Sequence, residues 1–314
     1  MRNMKRTISL ILSAVCVILL IGGCRKPAEE SAVSPKVFAI TGPTGVGMVN
    51  LMEDYDITLS AAPDEVVGKV ASGEADIAAV PTNVASSLYK KLNGGVTVLC
   101  VNTLGVLYMM DSTGAIQSFS DLEGKTIYST GEGANPQYIL EYLLKKNNVN
   151  ATISYLATND ELTGKMASGE IEIAMVPQPA ATSVQAKTSF KIALDITSEW
   201  AKVSPESKLM MGCLVVRNEY LDAHKKDVER FLKDYKASVE QVNSDTAAAA
   251  QLCETYQIIP SAKIAETAIP YCNITYITGK EMKNGLSGYL QVLFDANPAS
   301  VGGAMPEDGF YYGA

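Results

Sequence analysis

Hydrophobic and polar positions along the chain form short continuous apolar runs that alternate with stretches of helical spacing. Residues 77–80 and 173–176 are such runs, and a proline, Pro81 or Pro177, ends each of them. Continuous apolar runs are typical of strands in the middle of a parallel sheet. The segment before each run has acidic residues in its first turn and a glycine at its end, a pattern that predicts a helix. This order of elements predicts an α/β fold.

The two strand–helix–strand segments are copies of one another. Residues 57–87 align without a gap with residues 153–183, at an offset of 96 residues. The first-copy residues that recur in the second copy are Ile57, Ala61, Asp64, Glu65, Gly68, Lys69, Ala71, Ser72, Gly73, Glu74, Ile77, Ala78, Val80, Pro81, Ala85 and Ser87. A match of this length at a fixed offset indicates one supersecondary unit used twice. We therefore expect two α/β lobes.

A strand, a glycine-bearing loop and a helix precede each copy. The first loop is residues 42–47, and its helix is predicted to run through Leu51 and Met52. The second loop is residues 130–134, followed by a helix with Asn135 as N-cap and Pro136 at its first position. Each lobe is thus predicted to be a β-α-β-α-β unit. Right-handed crossovers put the loops after its parallel strands at one edge of the sheet, where ligands of open α/β sheets bind.

The rest of the chain has helical spacing and no third copy, and we expect it to complete the first lobe. The chain must then cross to the second lobe near residues 107–110 and return near residues 211–216, which together would form a hinge. The predicted divisions are a signal peptide over 1–23, a tether over 24–35, lobe 1 over 36–109 and 212–314, and lobe 2 over 110–211.

The N-terminus has the features of an export signal. A positive segment precedes an apolar run over residues 8–21, which is shorter than the roughly 18 residues of a membrane-spanning helix. The run ends in Ile21-Gly22-Gly23-Cys24, which resembles a bacterial lipobox and predicts lipidation of Cys24. The alternative is an uncleaved anchor with an incidental cysteine. Either interpretation predicts an extracytoplasmic protein held at the cell membrane, with a polar, proline-containing tether after Cys24.

Composition excludes several classes of function. The chain has 314 residues, 47% of them hydrophobic, which is typical of a globular protein, and its net charge of -8 argues against a nucleic-acid partner. With one histidine, His224, and no CxxC spacing, we expect no metal site and no cofactor. Cys253 and Cys272 could pair in an oxidising compartment, although buried free thiols are the favoured interpretation.

Polar residues at the predicted strand ends are the candidates for binding a small solute. Glycine loops offer backbone N–H groups at helix starts, while hydroxyl and amide side chains bind polar groups without carrying charge. The alternatives are ordinary strand-to-helix turns and turn-forming residues. The candidates are Thr44, Gly45, Thr82, Asn83, Thr130, Gly133, Ala134, Asn135 and Gln178. Beyond the tether the only arginines are Arg217 and Arg230, so the sequence favours a neutral or weakly anionic solute, or an anion held by helix N-termini.

Three segments carry a resemblance to a known family. They are residues 118–127, which contain Asp121-Leu122-Glu123-Gly124-Lys125, then residues 169–179, and the return segment 214–221. In these three segments the chain resembles the family of nitrate, sulfonate, taurine and thiamine-pyrimidine binding proteins. The resemblance implies a two-lobed periplasmic-binding-protein fold with a hinge and an inter-lobe cleft. It also implies a monomeric, non-enzymatic, solute-binding component of an ABC importer, with permease subunits as partners. The alternatives are an enzyme on the same fold, as in menaquinone or thiamine pathways, and a surface sensor.

Overall fold

The computed structural model describes residues 33–314, and the predicted signal peptide and Cys24 lie outside this range. The strands are β1 (Lys36–Ile40), β2 (Asp56–Ser60), β3 (Ile77–Pro81), β4 (Val96–Thr103), β5 (Leu107–Asp111), β6 (Thr126–Ser129), β7 (Thr152–Tyr155), β8 (Ile173–Pro177), β9 (Lys191–Asp195), β10 (Gly212–Arg217) and β11 (Ile274–Ile277). The helices are α1 (Pro43–Val46), α2 (Pro63–Ser72), α3 (Thr82–Lys91), α4 (Asn135–Lys146), α5 (Asn159–Ser168), α6 (Ala180–Lys187), α7 (Ile196–Val203), α8 (Asn218–Ala223), α9 (Lys225–Ser244), α10 (Thr246–Thr255), α11 (Ala262–Ala268) and α12 (Gly279–Ala296). None of the helices in this range is long and apolar enough to cross a membrane.

The strands form two separate sheets. The first has the order β11-β4-β10-β3-β1-β2, and the second has the order β7-β6-β8-β5-β9. The apolar runs of the two repeat copies, β3 and β8, therefore lie in different sheets, and the predicted α/β fold is confirmed. With the exception of β11, the sheets have equivalent strands in equivalent order, as a duplicated unit requires.

The repeated helices α2 and α5 have the local structure that their sequences predict. Both begin with acidic residues in the first turn, which the positive end of the helix dipole stabilises. Gly73 and Gly169 follow their last residues with φ angles of 84° and 80°, a left-handed conformation that lets the chain turn directly into the next strand.

Each sheet also contains an antiparallel strand that the sequence did not predict. β10 pairs antiparallel with β3, and β5 pairs antiparallel with β8. Both strands come directly after the chain has crossed from the other sheet, through residues 104–106 in one direction and 204–211 in the other. The apolar runs that were predicted to form hinge strands are thus interior strands of the sheets. An interior strand is covered on both faces, so apolar residues are favoured along its whole length.

The C-terminal helices cover the first sheet, as the helical spacing predicted. Buried side chains of α9 and α12 include Phe231, Tyr235, Leu286 and Tyr289. The last residues pack along β4, where Tyr311 forms a parallel bridge with Val98 and Phe310 is fully buried. The C-terminal segment therefore closes the edge of the core.

The four cysteines of the described residues are buried free thiols. The pKa values of Cys253 and Cys272 are both raised to about 12 because burial disfavours the thiolate. The structure thus agrees with the favoured interpretation of the sequence, in which Cys253 and Cys272 are buried free thiols.

Candidate functional site

The ends of β3 and β8 meet the two crossing segments in equivalent ways. Thr82 and Gln178 follow these strands and occupy the same position in the two repeat copies. The backbone N–H of Thr82 donates to the carbonyl oxygen of Met211 at 3.0 Å, and the N–H of Gln178 donates to that of Val106 at 2.9 Å. Each strand end is therefore attached to the segment that enters its own sheet from the other one.

Each glycine loop lies close to the opposite sheet's strand end, again as an equivalent pair. Asn83 Nδ2 donates to the carbonyl oxygen of Gly133 at 3.4 Å, joining the end of β3 to the second loop. Gly42, in the first loop, has a φ of 107°, and a Cβ there would lie 3.9 Å from Pro179 Cδ, just past the end of β8. Since Asn83 and Pro179 are also equivalent positions, these two contacts frame one region between the sheets.

A buried hydrogen-bond network centred on Asn135 spans this region. Asn135 Nδ2 donates to the carbonyl oxygen of Met211 at 2.7 Å and to Thr82 Oγ1 at 3.3 Å. The hydroxyl of Tyr289, on α12, donates to Asn135 Oδ1 at 2.9 Å. Thr82 Oγ1 in turn donates to the carbonyl oxygen of Met210 at 2.5 Å. Asn135 is thus bound to the end of β3, to a crossing segment and to a C-terminal helix at once.

This role of Asn135 corrects the sequence prediction of an N-cap. Ala134 is the N-cap of α4, and Asn135 is the first helical residue, with its side chain directed into the network instead of onto its own helix. The local pattern Asn-Pro suggested a cap because asparagine oxygen is a good acceptor for helix N–H groups. The tertiary contacts of the side chain took precedence over that local use.

Two buried amides at the strand ends retain one unpaired atom each. Asn83 is 1% exposed, and its Nδ2 donates to the carbonyl oxygen of Ser300 at 3.1 Å, while its Oδ1 has no partner. Gln178 is also 1% exposed, and its Oε1 accepts from the Thr182 N–H at 3.2 Å and from the Thr182 hydroxyl at 2.9 Å, while its Nε2 has no partner. Buried polar atoms are nearly always hydrogen-bonded, so these two are functional candidates.

The backbone partners fix the orientation of both amides. A carbonyl oxygen can only accept, so the Asn83 atom that faces Ser300 must be nitrogen. A backbone N–H can only donate, so the Gln178 atom that faces Thr182 must be oxygen. The unpaired atoms are therefore an acceptor on Asn83 and a donor on Gln178.

The remaining predicted site residues have local partners. Thr44 donates its hydroxyl to the carbonyl oxygen of Ile40, and Gly45 is buried. Thr130 donates its hydroxyl to Asn159 Oδ1 at 2.8 Å. The Gly133 N–H donates to Gln137 Oε1 at 2.7 Å and the Ala134 N–H to the Gly131 carbonyl oxygen at 3.0 Å. Of the N–H groups at this helix start, those of Gly133 and Ala134 are therefore paired and not free as expected.

The first glycine loop also leads into a much shorter helix than predicted. α1 has four residues, and a 3-10 turn over Val49–Leu51 follows it in place of a helix through Leu51 and Met52. The apolar side chains Val46, Met48 and Val49 are buried in the core, so the apolar pattern reflected packing in a compact turn.

An aromatic cluster lies beside the Asn135 network. Trp200, on α7, is 1% exposed, with its ring centroid 4.9 Å from that of Tyr142 and 5.6 Å from that of Tyr289. Its Nε1 donates to the carbonyl oxygen of Ser207, in the returning segment, at 3.1 Å. Trp200 is thus a core residue that contacts α4 and α12, elements that pack against different sheets.

The two described arginines and Asp195 each have partners within the protein. Arg217 donates to the carbonyl oxygen of Gly73 at 2.8 Å, before the start of β3, and Arg230 pairs with Asp227 at 3.0 Å. Asp195 follows β9 at the same edge as Gln178, but its carboxylate accepts from the Thr197 N–H and the Ser198 hydroxyl at the start of α7. The described residues contain no group of His, Cys, Asp and Glu side chains that could hold a metal ion. His224 lies between α8 and α9, facing Asp227 at 3.6 Å.

Tyr108 and Tyr271 form a further contact between the two sheets' elements. The hydroxyl of Tyr108, in β5, donates to the carbonyl oxygen of Tyr271 at 3.3 Å. Burial is the main reason that the pKa of Tyr108 is raised to about 12, with Asp195 adding to the effect. Tyr108 therefore remains a neutral donor at physiological pH.

An open groove of about 290 Å³ lies outside this region. It runs between α4 and the end of α12 and is lined by Tyr138, Glu141, Tyr142, Lys145, Leu293, Ala296, Asn297 and Pro298. None of the predicted site residues lines it. The groove and the framed region between the sheets are therefore different surfaces.

Sequence reasoning missed Tyr289, Met210, Met211 and Ser300 as partners of the candidate residues. Tyr289 lies on a predicted helix face among apolar residues, and nothing in the sequence separates it from them. The other three residues contribute backbone carbonyl oxygens, which every residue type has. Among the predicted site residues, hydrogen bonds directly join two pairs, Asn83 with Gly133 and Asn135 with Thr82.

A family model described as NMT1/THI5 like matches residues 54–249 of the chain. The chain belongs to the NMT1/THI5-like family. This agrees with the resemblance seen in the sequence, and the match covers both repeat copies and the return segment. No curated protein sequence matches the chain.

Solved structures are similar to this family member over most of their length. An ABC transporter protein from Parabacteroides distasonis has a TM-score of 0.75 at 21% identity, over 88% of this chain and 98% of its own. A zinc-bound ligand-binding component of an ABC-type import system from Staphylococcus aureus has a TM-score of 0.70 at 17% identity, over 88% and 96%. The periplasmic aliphatic sulphonate-binding protein of Escherichia coli has a TM-score of 0.68 at 12% identity, over 88% and 95%. The predicted periplasmic-binding-protein fold is thereby confirmed.

Proposed function

We propose that this member of the NMT1/THI5-like family is the substrate-binding component of an ABC import system. It captures a small polar or weakly anionic solute between two lobes and delivers it to permease subunits. The observation that carries the proposal is the pair of buried, unpaired amide atoms on Asn83 and Gln178, at the ends of β3 and β8. The named roles of the similar import proteins support it. A binding role without catalysis accounts for all of these features.

We further propose two lobes with the predicted bounds, residues 36–109 with 212–314 and residues 110–211, except that residues 107–109 go with the second lobe because they are part of β5. Support comes from the separate sheets, since all strands from β5 to β9 belong to the second sheet and all others to the first. The crossings at 104–106 and 204–211 would be the hinge, because they are the two places where the chain passes between sheets.

The solute would lie in the region framed by the two equivalent loop contacts. In this proposal Asn83 and Gln178 bind it directly, while Thr82 and Asn135 hold the lobes in the closed arrangement around it. Thr44, Gly45, Thr130, Gly133 and Ala134 would form the walls of the cleft. A solute that touches both lobes stabilises closure by its differential affinity for the closed state.

The function is tested by ligand-dependent closure. A defined mixture of small metabolites is screened by thermal shift, because a compound that binds only the folded state raises the melting temperature. The positive compound is then measured by calorimetry and small-angle scattering. We expect wild-type protein to bind the compound 1:1 and to have a smaller radius of gyration when bound. In Asn83→Ala the affinity should fall at least about tenfold, and the compaction should be weaker.

Asn284→Ala is the matched control for this experiment. Asn284 is an exposed residue of α12, so its replacement should leave both affinity and compaction as in wild type. Binding with no change in the radius of gyration, or equal affinity in Asn83→Ala, would place the site outside the region between the lobes.

We also propose that the mature protein begins at Cys24 and is held at the extracytoplasmic face of the membrane by lipid on that residue. The positive segment, the short apolar run and the Ile-Gly-Gly-Cys sequence support this. Replacing Cys24 with Ala should leave the precursor uncut or release the protein from the membrane fraction, which fractionation and mass measurement will detect.

Cys16→Ala is the control for lipidation. Cys16 lies within the apolar run, so its loss should not affect processing or membrane retention. If Cys24→Ala is processed and retained like wild type, the protein is not a lipoprotein.

A further inference from the structure

The unpaired amide atoms also define the chemistry of the solute, provided that the proposed site is correct. We infer that the solute is uncharged where it meets the two strand ends, and that it presents an N–H donor to Asn83 Oδ1 and a carbonyl-type acceptor to Gln178 Nε2. Amides, lactams and heterocycles with an N–H beside a carbonyl have this pair of groups.

Neither amide can reverse its polarity. Rotation of the Asn83 amide would bring its oxygen against the carbonyl oxygens of Ser300 and Gly133. Rotation of the Gln178 amide would bring its NH₂ group against the Thr182 N–H. Each rotation replaces a buried hydrogen bond by a repulsion between like groups, so the site presents a fixed acceptor and a fixed donor.

The hydrogen-bond partners of the site residues do not compensate a charge. The groups that bind Thr82, Asn83, Asn135 and Gln178 are hydroxyls, amides and backbone atoms. Both described arginines lie elsewhere, as their contacts with Gly73 and Asp227 show. Burying an ion without a partner costs several kcal/mol, so a sulfonate or carboxylate head group is disfavoured here.

The nearby carboxylates strengthen the case against an anion. Asp195 lies at the same sheet edge as Gln178, and Glu132 is an exposed residue of the second glycine loop. Because both oxygens of Asp195 already accept hydrogen bonds at the start of α7, that residue offers little to a cationic solute either. A neutral solute with one donor and one acceptor would give a partner to both free amide atoms.

The test is equilibrium dialysis of the mature protein, without signal peptide, against an equimolar pool of neutral, anionic and cationic metabolites, with mass-spectrometric detection. We expect the retained compound to be neutral and to carry an N–H and a carbonyl. Gln178→Glu keeps the oxygen that binds Thr182 but turns the free donor into a charged acceptor, so retention should fall at least about tenfold. Gln251→Glu makes the same change on an exposed face of α10 and should retain the compound fully.

Wild-type protein provides a second measurement that does not depend on the folding of a variant. Methylating the N–H of the retained compound removes the donor to Asn83 and should also weaken binding at least about tenfold. A retained anion or cation, or equal retention by Gln178→Glu, overturns the inference while leaving the proposed binding function intact. Failure to retain any compound from the pool rejects both.

Discussion

Replacing Asn135 with Ala should lower the free energy of unfolding by about 3 kcal/mol, because it removes three buried hydrogen bonds and leaves the Tyr289 hydroxyl without its acceptor. The Met211 carbonyl oxygen loses its 2.7 Å bond, and the Tyr289 hydroxyl loses its acceptor. Alanine itself is favourable in a helix, so the loss arises from tertiary contacts and not from helix propensity. Urea unfolding followed by circular dichroism will measure it.

Two matched variants test the origin of the Asn135 effect. Asn147→Ala removes a single side-chain bond to the Leu143 carbonyl oxygen at the other end of α4 and should cost less than about 1 kcal/mol. Tyr289→Phe removes one member of the network, and its effect should not add to that of Asn135→Ala, because the two residues share a bond. Strict additivity, or an Asn135→Ala protein as stable as wild type, would contradict a cooperative network.

Replacing Trp200 with Ala should destabilise the protein by about 3–5 kcal/mol, the usual cost of removing a large buried aromatic side chain. The indole fills the space between Tyr142 and Tyr289, and its Nε1 bond to Ser207 is also lost. Because Trp200 contacts elements that pack against both sheets, the variant should also show weaker solute-dependent compaction in small-angle scattering.

Trp200→Phe and Tyr271→Ala are the controls for this prediction. Phenylalanine keeps most of the apolar volume, so it should cost clearly less than alanine. Tyr271 is 52% exposed, and loss of its side chain should change stability by less than about 0.5 kcal/mol. Trp200→Ala with near wild-type stability would mean that the cluster is not part of the cooperative core.

The architecture was predictable because its signals are local or repeated. Continuous apolar runs identified β3 and β8, and Gly73 and Gly169 identified where α2 and α5 end. The offset of 96 residues then gave two units instead of one larger sheet. Strand direction was not predictable for β5 and β10, since an apolar run buried on both faces has the same composition whether its neighbours are parallel or antiparallel.

The candidate site was predictable in position but not in detail. Glycine loops and strand ends located Thr82, Asn83, Gly133 and Asn135, which the fold does bring together. The same reasoning gave helix-start N–H groups as the binding atoms, and those of Gly133 and Ala134 are paired within their own loop and helix. A side-chain acceptor four residues away satisfies Gly133, a contact that the residue types alone do not specify.

The sequence by itself determined the duplicated α/β unit, the positions of most strands and of the repeated helices, and the edge of each sheet where polar residues gather. These depend on periodicity, helix-ending glycines and repetition, all of which act over a few residues or recur at a fixed offset. The tertiary structure alone decided which groups at that edge are used and which remain free. Asn83 obtains its partner from Ser300, 217 residues away, and Asn135 obtains one from Tyr289, 154 residues away. The polarity of an amide in a buried site is set by such distant partners, because each of its two ends can form hydrogen bonds until the fold assigns them.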